Sequence, residues 1–473
     1  MKTAKAHFDT MINVQALRSE RVYYWCIIIS ALISWSPFNA LGYVAPFVVV
    51  GLVLLSSSGL RLLKRLFVWV YIWVSLVSIY GLVNSEFQFG NAIVAFVTWA
   101  GIVVILLLPV DGMRSPVLLH KTKKLAWNIL LIESLWGIAQ GIYGYTRTGS
   151  FDLANGDYVE GTIHPSFEPE LTYSNVMFAI NIALLLLFLL PEVWRRRSLR
   201  NIVVYGLGTL AFVMASVLHA ILFLITAVAI SWFLIWGRRL RLSRAVGVGI
   251  VSAVILVLAG AFLPRNLGTA RSFALQIFRG EVPKSVSVVL ALTEMPRDYW
   301  FLPIIGLGPG QYASRAALIN TGLYFGGLDN PRHIPYLPNK LTDAQAQYLL
   351  PLWQWHESNR YWGSTQKAYF SWLSVYTEFG LLGLLAVTVT LVFLLRRVHR
   401  LLRVYDIEKF VLITAILFVF LLGFQENNWE VPQAWFSGLL FLKTLYANLA
   451  VAQRGLERFK FRHVAKVEVE NAG

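Results

Sequence analysis

The stretch YSNVMFAINIALLLLFLLPEVWRRRSLR, residues 173–200, decides the fold class. Its first part, Tyr173–Leu190, is an apolar run. As a helix rising ~1.5 Å per residue it covers most of the roughly 30 Å hydrocarbon layer of a bilayer. It runs into Arg195, Arg196, Arg197 and Arg200. Such a basic cluster holds the end of a span on the cytoplasmic side. The same pairing of apolar run and basic cluster recurs along the chain.

Composition agrees. Of 473 residues 57% are hydrophobic and only 14% are charged. A soluble protein of this length carries about 25% charged residues. The excess of 41 Lys+Arg over 25 Asp+Glu raises the question of nucleic acid. The bases, however, lie in short clusters between apolar runs instead of one basic domain, which argues against nucleic acid and for a bilayer. The single cysteine, Cys26, excludes an internal disulfide and a Cys-based zinc site. The first apolar run lacks a small-residue cleavage site, so no cleavable signal is expected.

Reading apolar runs of about 17–25 residues as spans gives Val22–Phe38, Leu41–Ser58, Leu66–Val83, Asn91–Val110, Leu125–Tyr143, Tyr173–Leu190, Ile202–Ser216, Ala220–Trp236, Val246–Leu263, Phe370–Leu395, Phe410–Phe424 and Ala434–Val451. Pro46 interrupts the second, and the seventh and eighth join near His219 with almost no polar linker. With the N-terminus inside, alternation places every basic cluster on one side. The short segments of the other side hold Arg147 alone. That partition predicts twelve spans with both termini cytoplasmic. The expected organisation is an all-α polytopic bundle. Residues 1–264 carry nine spans and an outer loop at 144–171, and 265–367 form a large outer loop. Residues 368–451 carry three more spans, and 452–473 form a basic tail.

Loops as long as 265–367 usually carry function or structure of their own. Here Ser285–Leu292 and Ala313–Leu318 have helical patterns, and Gly306–Gly310 (GLGPG) reads as a turn. The loop holds ten bases against six acids, and it is rich in Trp and Tyr. Such aromatics pack on the membrane interface or on a ligand such as a sugar ring. The outer loop at 145–171 is acidic, with Asp152, Asp157, Glu160, Glu168 and Glu170 against Arg147.

No Walker A motif, HExxH or EF-hand loop is present, and GLGPG lacks the spacing of a nucleotide fingerprint. Ionisable groups inside spans are costly and often functional. Glu133 has the bland reading of a helix–helix hydrogen bond or a salt bridge, for instance with Lys443. Glu378 reads either as a catalytic carboxylate or as a cap for nearby donors. His219, at an outer helix end, is a structural or a catalytic imidazole. Among the outer bases, Arg147, Lys284, Arg297, Arg315, Arg332 and Arg360 are candidates for holding a diphosphate, because the guanidinium fork suits phosphate oxygens and its charge stabilises a departing diphosphate. Taken singly, each also reads as a solvated or internally paired base. In His356-Glu357-Ser358-Asn359-Arg360 a His, a carboxylate and a cation adjoin. His356 there is a candidate proton acceptor, or part of a polar surface turn.

Twelve spans, a large outer loop before the tenth, PIIGLGPGQY at Pro303–Tyr312 and TEFGLLGLL at Thr377–Leu385 resemble the O-antigen ligase and polymerase superfamily (the Wzy/WaaL type). The resemblance in topology covers the whole chain. It implies a GT-C-like bundle and a metal-independent glycosyltransferase without cofactor, in the bacterial inner membrane. The donor would be a glycan on undecaprenyl diphosphate. The acceptor would be another glycan for a polymerase, or lipid A-core for a ligase. In that family arginines hold the diphosphate, and a His late in the large loop is implicated as base. Three positions depart from the pattern. The family's His-Asn pair, nine and eight residues before the Glu of the tenth span, is Tyr369-Phe370 here. The Arg at the start of the eighth span is replaced, with His219 the nearest polar residue. The Arg early in the large loop is replaced, with Lys284 nearest to that place. His356 or His333 would have to stand in for the missing His.

The leading expectation is therefore a polymerase-like transferase acting on the outer face, with His356, Glu378 or His219 serving the acceptor hydroxyl. Ligation to lipid A-core or protein is the alternative. A transporter is a third reading, but Pro46 has no matching break in the other half of the chain, and no internal repeat is apparent.

Overall fold

The computed structural model describes residues 19–149, 158–168, 173–237, 268, 271–272, 275–277, 279–322, 330–335, 337, 340–358, 367–401 and 404–471, of which the side chains of 356–358, 401 and 454–471 are left aside. The expected ninth span lies outside the described residues. All regular structure among them is helical. The first eight helices are α1 (19–34), α2 (Leu41–Leu54), α3 (Gly59–Val83), α4 (Phe89–Leu107), α5 (Pro116–Thr148), α6 (Ser174–Arg196), α7 (Leu199–Met214) and α8 (Leu218–Trp236). The large loop contributes α9 (Pro283–Thr293), α10 (Arg315–Asn320) and α11 (Leu350–Ser358). The chain closes with α12 (Ser371–Leu401), α13 (Asp406–Leu422) and α14 (Pro432–Asn471).

Seven of these, α3, α4, α5, α6, α8, α12 and α14, are long and apolar enough to cross a membrane. Helices α2 and α7 are shorter and apolar. The central element is α6, with 83% of its apolar window buried, against 6% for α3 at the periphery. Helices α7, α13 and α14 pack on α6, and α8 packs on α13. Close approach depends on small residues, as in other helical bundles without a hydrophobic drive between helices. On α5 a Cβ at Gly137 would meet Phe178 of α6, and one at Gly141 would meet Met214 of α7. Ser115 caps α5 by accepting from Leu118 N at 3.2 Å, Pro116 opens the helix, and Gly149 closes it with φ +68. Between α7 and α8 the break falls at Ala215–Val217, where Ser216 has φ +59, so His219 lies inside α8. The basic tail continues α14 as helix to Asn471.

Of the two readings of Glu133, the hydrogen bond holds, to the segment before α6 and not to another helix, and no salt bridge with Lys443 is formed. Glu133 Oε2 accepts from Thr162 N at 2.9 Å and Oε1 from Thr162 Oγ1 at 2.6 Å. Lys443 Nζ instead donates to Ile105 O. Each group has a backbone hydrogen-bond partner close by.

The two glycine motifs interlock. Gly380, at φ +62, kinks α12. The kink frees the carbonyls of Thr377 and Glu378, which accept from Leu307 N (2.8 Å) and Gly308 N (2.9 Å) of the GLGPG turn. The Glu378 carboxylate takes three more loop amides: Gly310 N at 2.7 Å, Tyr312 N at 3.2 Å and Ser314 N at 3.1 Å. A Cβ on Gly306 would lie 2.3 Å from Glu378 C, and one on Gly380 would lie 2.3 Å from Ile304 C. Both positions have positive φ, so only glycine fits. The α3–α4 link grips the same turn, with Asn84 Nδ2 donating to Leu307 O at 2.9 Å and Gln311 Nε2 to Gln88 O at 3.0 Å.

G380A is expected to destabilise the protein by about 2 kcal/mol or more, from the left-handed backbone penalty and the contact with Ile304. G51A, on an exposed helical position with open space around it, should be neutral or stabilising. Unfolding midpoints in detergent check both.

Candidate functional site

The link between α13 and α14 reads Gln425-Glu426-Asn427-Asn428-Trp429-Glu430, and every one of these residues is buried. Side chains and backbone lock it in place. Ser371 N and Oγ donate to Glu426 O at 3.2 and 3.1 Å. Asn427 Nδ2 donates to Ala313 O at 2.8 Å, and its Oδ1 accepts from Ser374 Oγ at 2.9 Å.

Glu426 is the centre of a cationic cluster. Lys367 Nζ donates to its Oε1 at 3.0 Å, and Arg315 reaches the same oxygen at 3.6 Å. Lys284 Nζ donates to the neighbouring carbonyl of Gln425, and its charge acts on Glu426. Aromatic rings wall the group. The Arg315 guanidinium lies 5.6 Å from the Tyr173 ring centroid, Lys284 lies 5.4 Å from that of Phe370, and Lys367 lies 5.8 Å from that of Tyr369. Trp353 stacks on Tyr369 at 5.3 Å. His219 of α8 faces the cluster within reach of the charges of Lys284 and Glu426. Its Nε2 has no hydrogen-bond partner among the described residues.

Arg315 is placed by its backbone. Ser314 Oγ caps α10 by accepting from Ala317 N at 3.1 Å, while Ser314 N is held by Glu378. Arg315 N donates to Glu430 Oε2 at 2.9 Å, an oxygen that also accepts from Thr98 Oγ1 of α4 at 3.1 Å.

Burial raises the Glu426 carboxyl, but Lys367, Arg315 and Lys284 outweigh it and hold it below the ordinary carboxylate value. Burial, with Glu378 nearby, pushes Glu430 up to about 8. Burial, reinforced by Lys367, brings Lys284 down to about 7. Near neutral pH Glu430 is therefore largely protonated. The cluster then has Arg315, Lys367 and a half-charged Lys284 facing one carboxylate. A buried excess of positive charge is costly until an anion joins it.

Of the residues expected from sequence, the fold brings together Lys284, Arg315 and His219. Glu378 is behind them, fully buried, its carboxylate given to the loop amides described above. Arg147 stands apart with Tyr143 and Glu168, its Nε 3.0 Å from the Tyr143 hydroxyl. Arg297 and Arg332 are exposed, as is His333, which lies beside Gly322. Arg360 and the side chain of His356 lie outside the described residues. Sequence reasoning missed Glu426 and Glu430 and left Lys367 out of the site. The signal was present in QENNWE, whose polar residues are unusually dense for a short link between apolar helices.

E426Q should cost about 3–5 kcal/mol, because it leaves buried cations without their counter-charge, whereas K284M should be near neutral. The pH dependence has two arms. Glu430 is raised from 4.5 to about 8, so the folded state binds more protons between those values and stability falls as pH rises through them. Lys284 is lowered from 10.5 to about 7, so the unfolded state binds more protons above pH 7 and stability rises towards 10.5. A stability minimum is expected between about pH 7 and 8. E430Q should flatten the acid arm and K284M the alkaline arm in denaturation midpoints read across pH.

No protein-family model, curated protein or solved structure matches the chain, so its function has to be read from its own residues.

Proposed function

We propose that this chain is a polymerase-like glycosyltransferase of the bacterial inner membrane, with twelve spans in a GT-C-like bundle and both termini cytoplasmic. It would move a glycan from undecaprenyl diphosphate to a sugar hydroxyl at the loop-bearing face. One observation carries the reading. Lys284, His219 and Tyr369 occupy or adjoin the positions where the resembled family has its Arg, Arg and His, and all three meet around Glu426 with Arg315 and Lys367.

In this proposal Arg315, Lys284 and Lys367 receive the donor diphosphate. The acceptor oxygen forms a bond to the anomeric carbon from the face opposite the diphosphate, with inversion. The bond from that carbon to the diphosphate oxygen breaks, and the electron pair leaves with undecaprenyl diphosphate, whose growing charge the three cations stabilise. The hydroxyl proton passes to His219 Nε2. Glu378 is a positioning residue, since its oxygens are occupied by backbone donors. Trp353 on Tyr369 offers an aromatic wall for a sugar ring. The residues themselves supply the charge needed, and no metal or cofactor enters the scheme.

R315A and K367A are each expected to lower transfer from a lipid-linked glycan by about 100-fold, the scale of losing one donor to a developing anion. In cells the surface glycan should shorten to single repeat units. Long chains left unattached would instead indicate ligation, and unchanged glycan together with unchanged transfer would overturn the enzyme reading. Lys284 near 7 predicts that donor binding weakens as pH rises from 6 to 8. K284R, charged throughout, should remove that dependence.

A further inference from the structure

A second gathering of cations lies at the basic end of the bundle, far along α12, α14 and α3 from the site above. Lys443 of α14 is half-buried, and the charges acting on it are those of Arg397 and Arg65, both of its own sign. Arg397 of α12 donates from Nε to the Tyr446 hydroxyl at 3.0 Å and lies over the rings of Tyr446 and Phe393, 5.8 and 5.9 Å from their centroids. Arg65 of α3 donates to Leu107 O at 2.9 Å, and Lys443 to Ile105 O. Among the described residues none of the ion pairs includes Lys443, Arg65, Arg396, Arg397 or Arg400.

Part of this has a plain structural cause. Ile105 and Leu107 are the last carbonyls of α4, and cations cap such ends. A helix C-terminus, however, presents only about half an elementary charge. Arg65 and Arg397 are exposed and Lys443 is half-buried, so an anion reaching this recess would meet cations that none of the described ion pairs engages.

The surroundings give its class. A groove of about 700 Å³ runs along α12, bounded among the described residues by Val389, Val392 and Phe393 and then by Arg396, Arg397 and Arg400. Val389 and Phe393 are more than half exposed, and only 11% of the apolar window of α12 is buried. The apolar wall is therefore exposed along α12, while its far end is cationic. That sequence of surfaces matches a phospholipid lying parallel to the helix. A basic recess between spans on the positive side is a recurrent seat for anionic headgroups. A free phosphate would gain nothing from the wall, and a zwitterionic lipid would bring its own cation.

We propose that the phosphate of an anionic glycerophospholipid sits between Lys443, Arg65 and Arg397, with its acyl chains along Val389, Val392 and Phe393 of α12. The lipid would tie α12 to α3 and α14. The proposal requires only that the helices be embedded in a bilayer and does not depend on the glycosyltransferase reading.

Native mass spectrometry of the full chain in neutral detergent tests it, with dioleoyl phosphatidylglycerol, dioleoyl phosphatidylcholine and inorganic phosphate as probes. One phosphatidylglycerol should be retained at least tenfold more tightly than phosphatidylcholine, and it should raise the unfolding midpoint. Each of R65Q, R397Q and K443M should cost about fivefold in affinity, and the triple variant about a hundredfold. R397K, which keeps the charge, should retain binding, and so should R200Q, which removes an exposed base outside the groove. If R397Q misfolds through loss of the Tyr446 contact, the R65Q and K443M arms decide. Equal retention of the two lipids, unchanged affinity in R65Q and K443M, or equal stabilisation by inorganic phosphate would overturn the proposal.

Discussion

The carboxylate of Glu378 is the interaction on which the loop-bearing end depends. It accepts from three amides of one loop segment, and the kink at Gly380 turns two helix carbonyls to the same segment. Away from water each of those amides would otherwise be an unmet donor, at a cost of about 1–3 kcal/mol apiece. The clamp fixes Ser314, Ser314 caps α10, and the next residue is Arg315. Thus a carboxylate in α12 sets the position of a guanidinium that the loop alone would leave adrift.

What Arg315 meets is a fixed and largely buried frame. Glu426 is held by its own backbone bonds, and Glu430 takes the amide of Arg315 and the hydroxyl of Thr98. On the proposed reading, the cations would need no rearrangement to receive an anion. Such preorganised charge in a low dielectric is where electrostatic stabilisation of a leaving group is most effective. The same burial makes the excess positive charge of the cluster costly.

Much of the architecture was legible from residue type and spacing. Tyr173–Leu190 is the apolar body of α6, the loop pattern at Ser285–Leu292 is the core of α9, and that at Ala313–Leu318 overlaps α10, which starts and ends two residues later. Lys284 and Arg315 were recognisable as candidates because basic residues in an aromatic loop ask for a partner. The contact between GLGPG and the kink of α12 was not legible, since spacing along a chain says nothing of which two turns touch. Glu426 was hidden because a polar link between two spans reads as solvated, and only the surrounding fold reveals that it is buried. For Glu133 the sequence left a hydrogen bond and a salt bridge open, and only the fold shows that Thr162 is its partner and Ile105 O that of Lys443.

Amide hydrogen exchange tests the clamp most directly. Peptides covering residues 306–320 in the wild-type protein should exchange as slowly as the helix interior. In E378A they should exchange as fast as an open loop, while peptides of α6 remain protected. Rapid exchange of this segment in the wild type, or protection unaltered in E378A, would contradict the account.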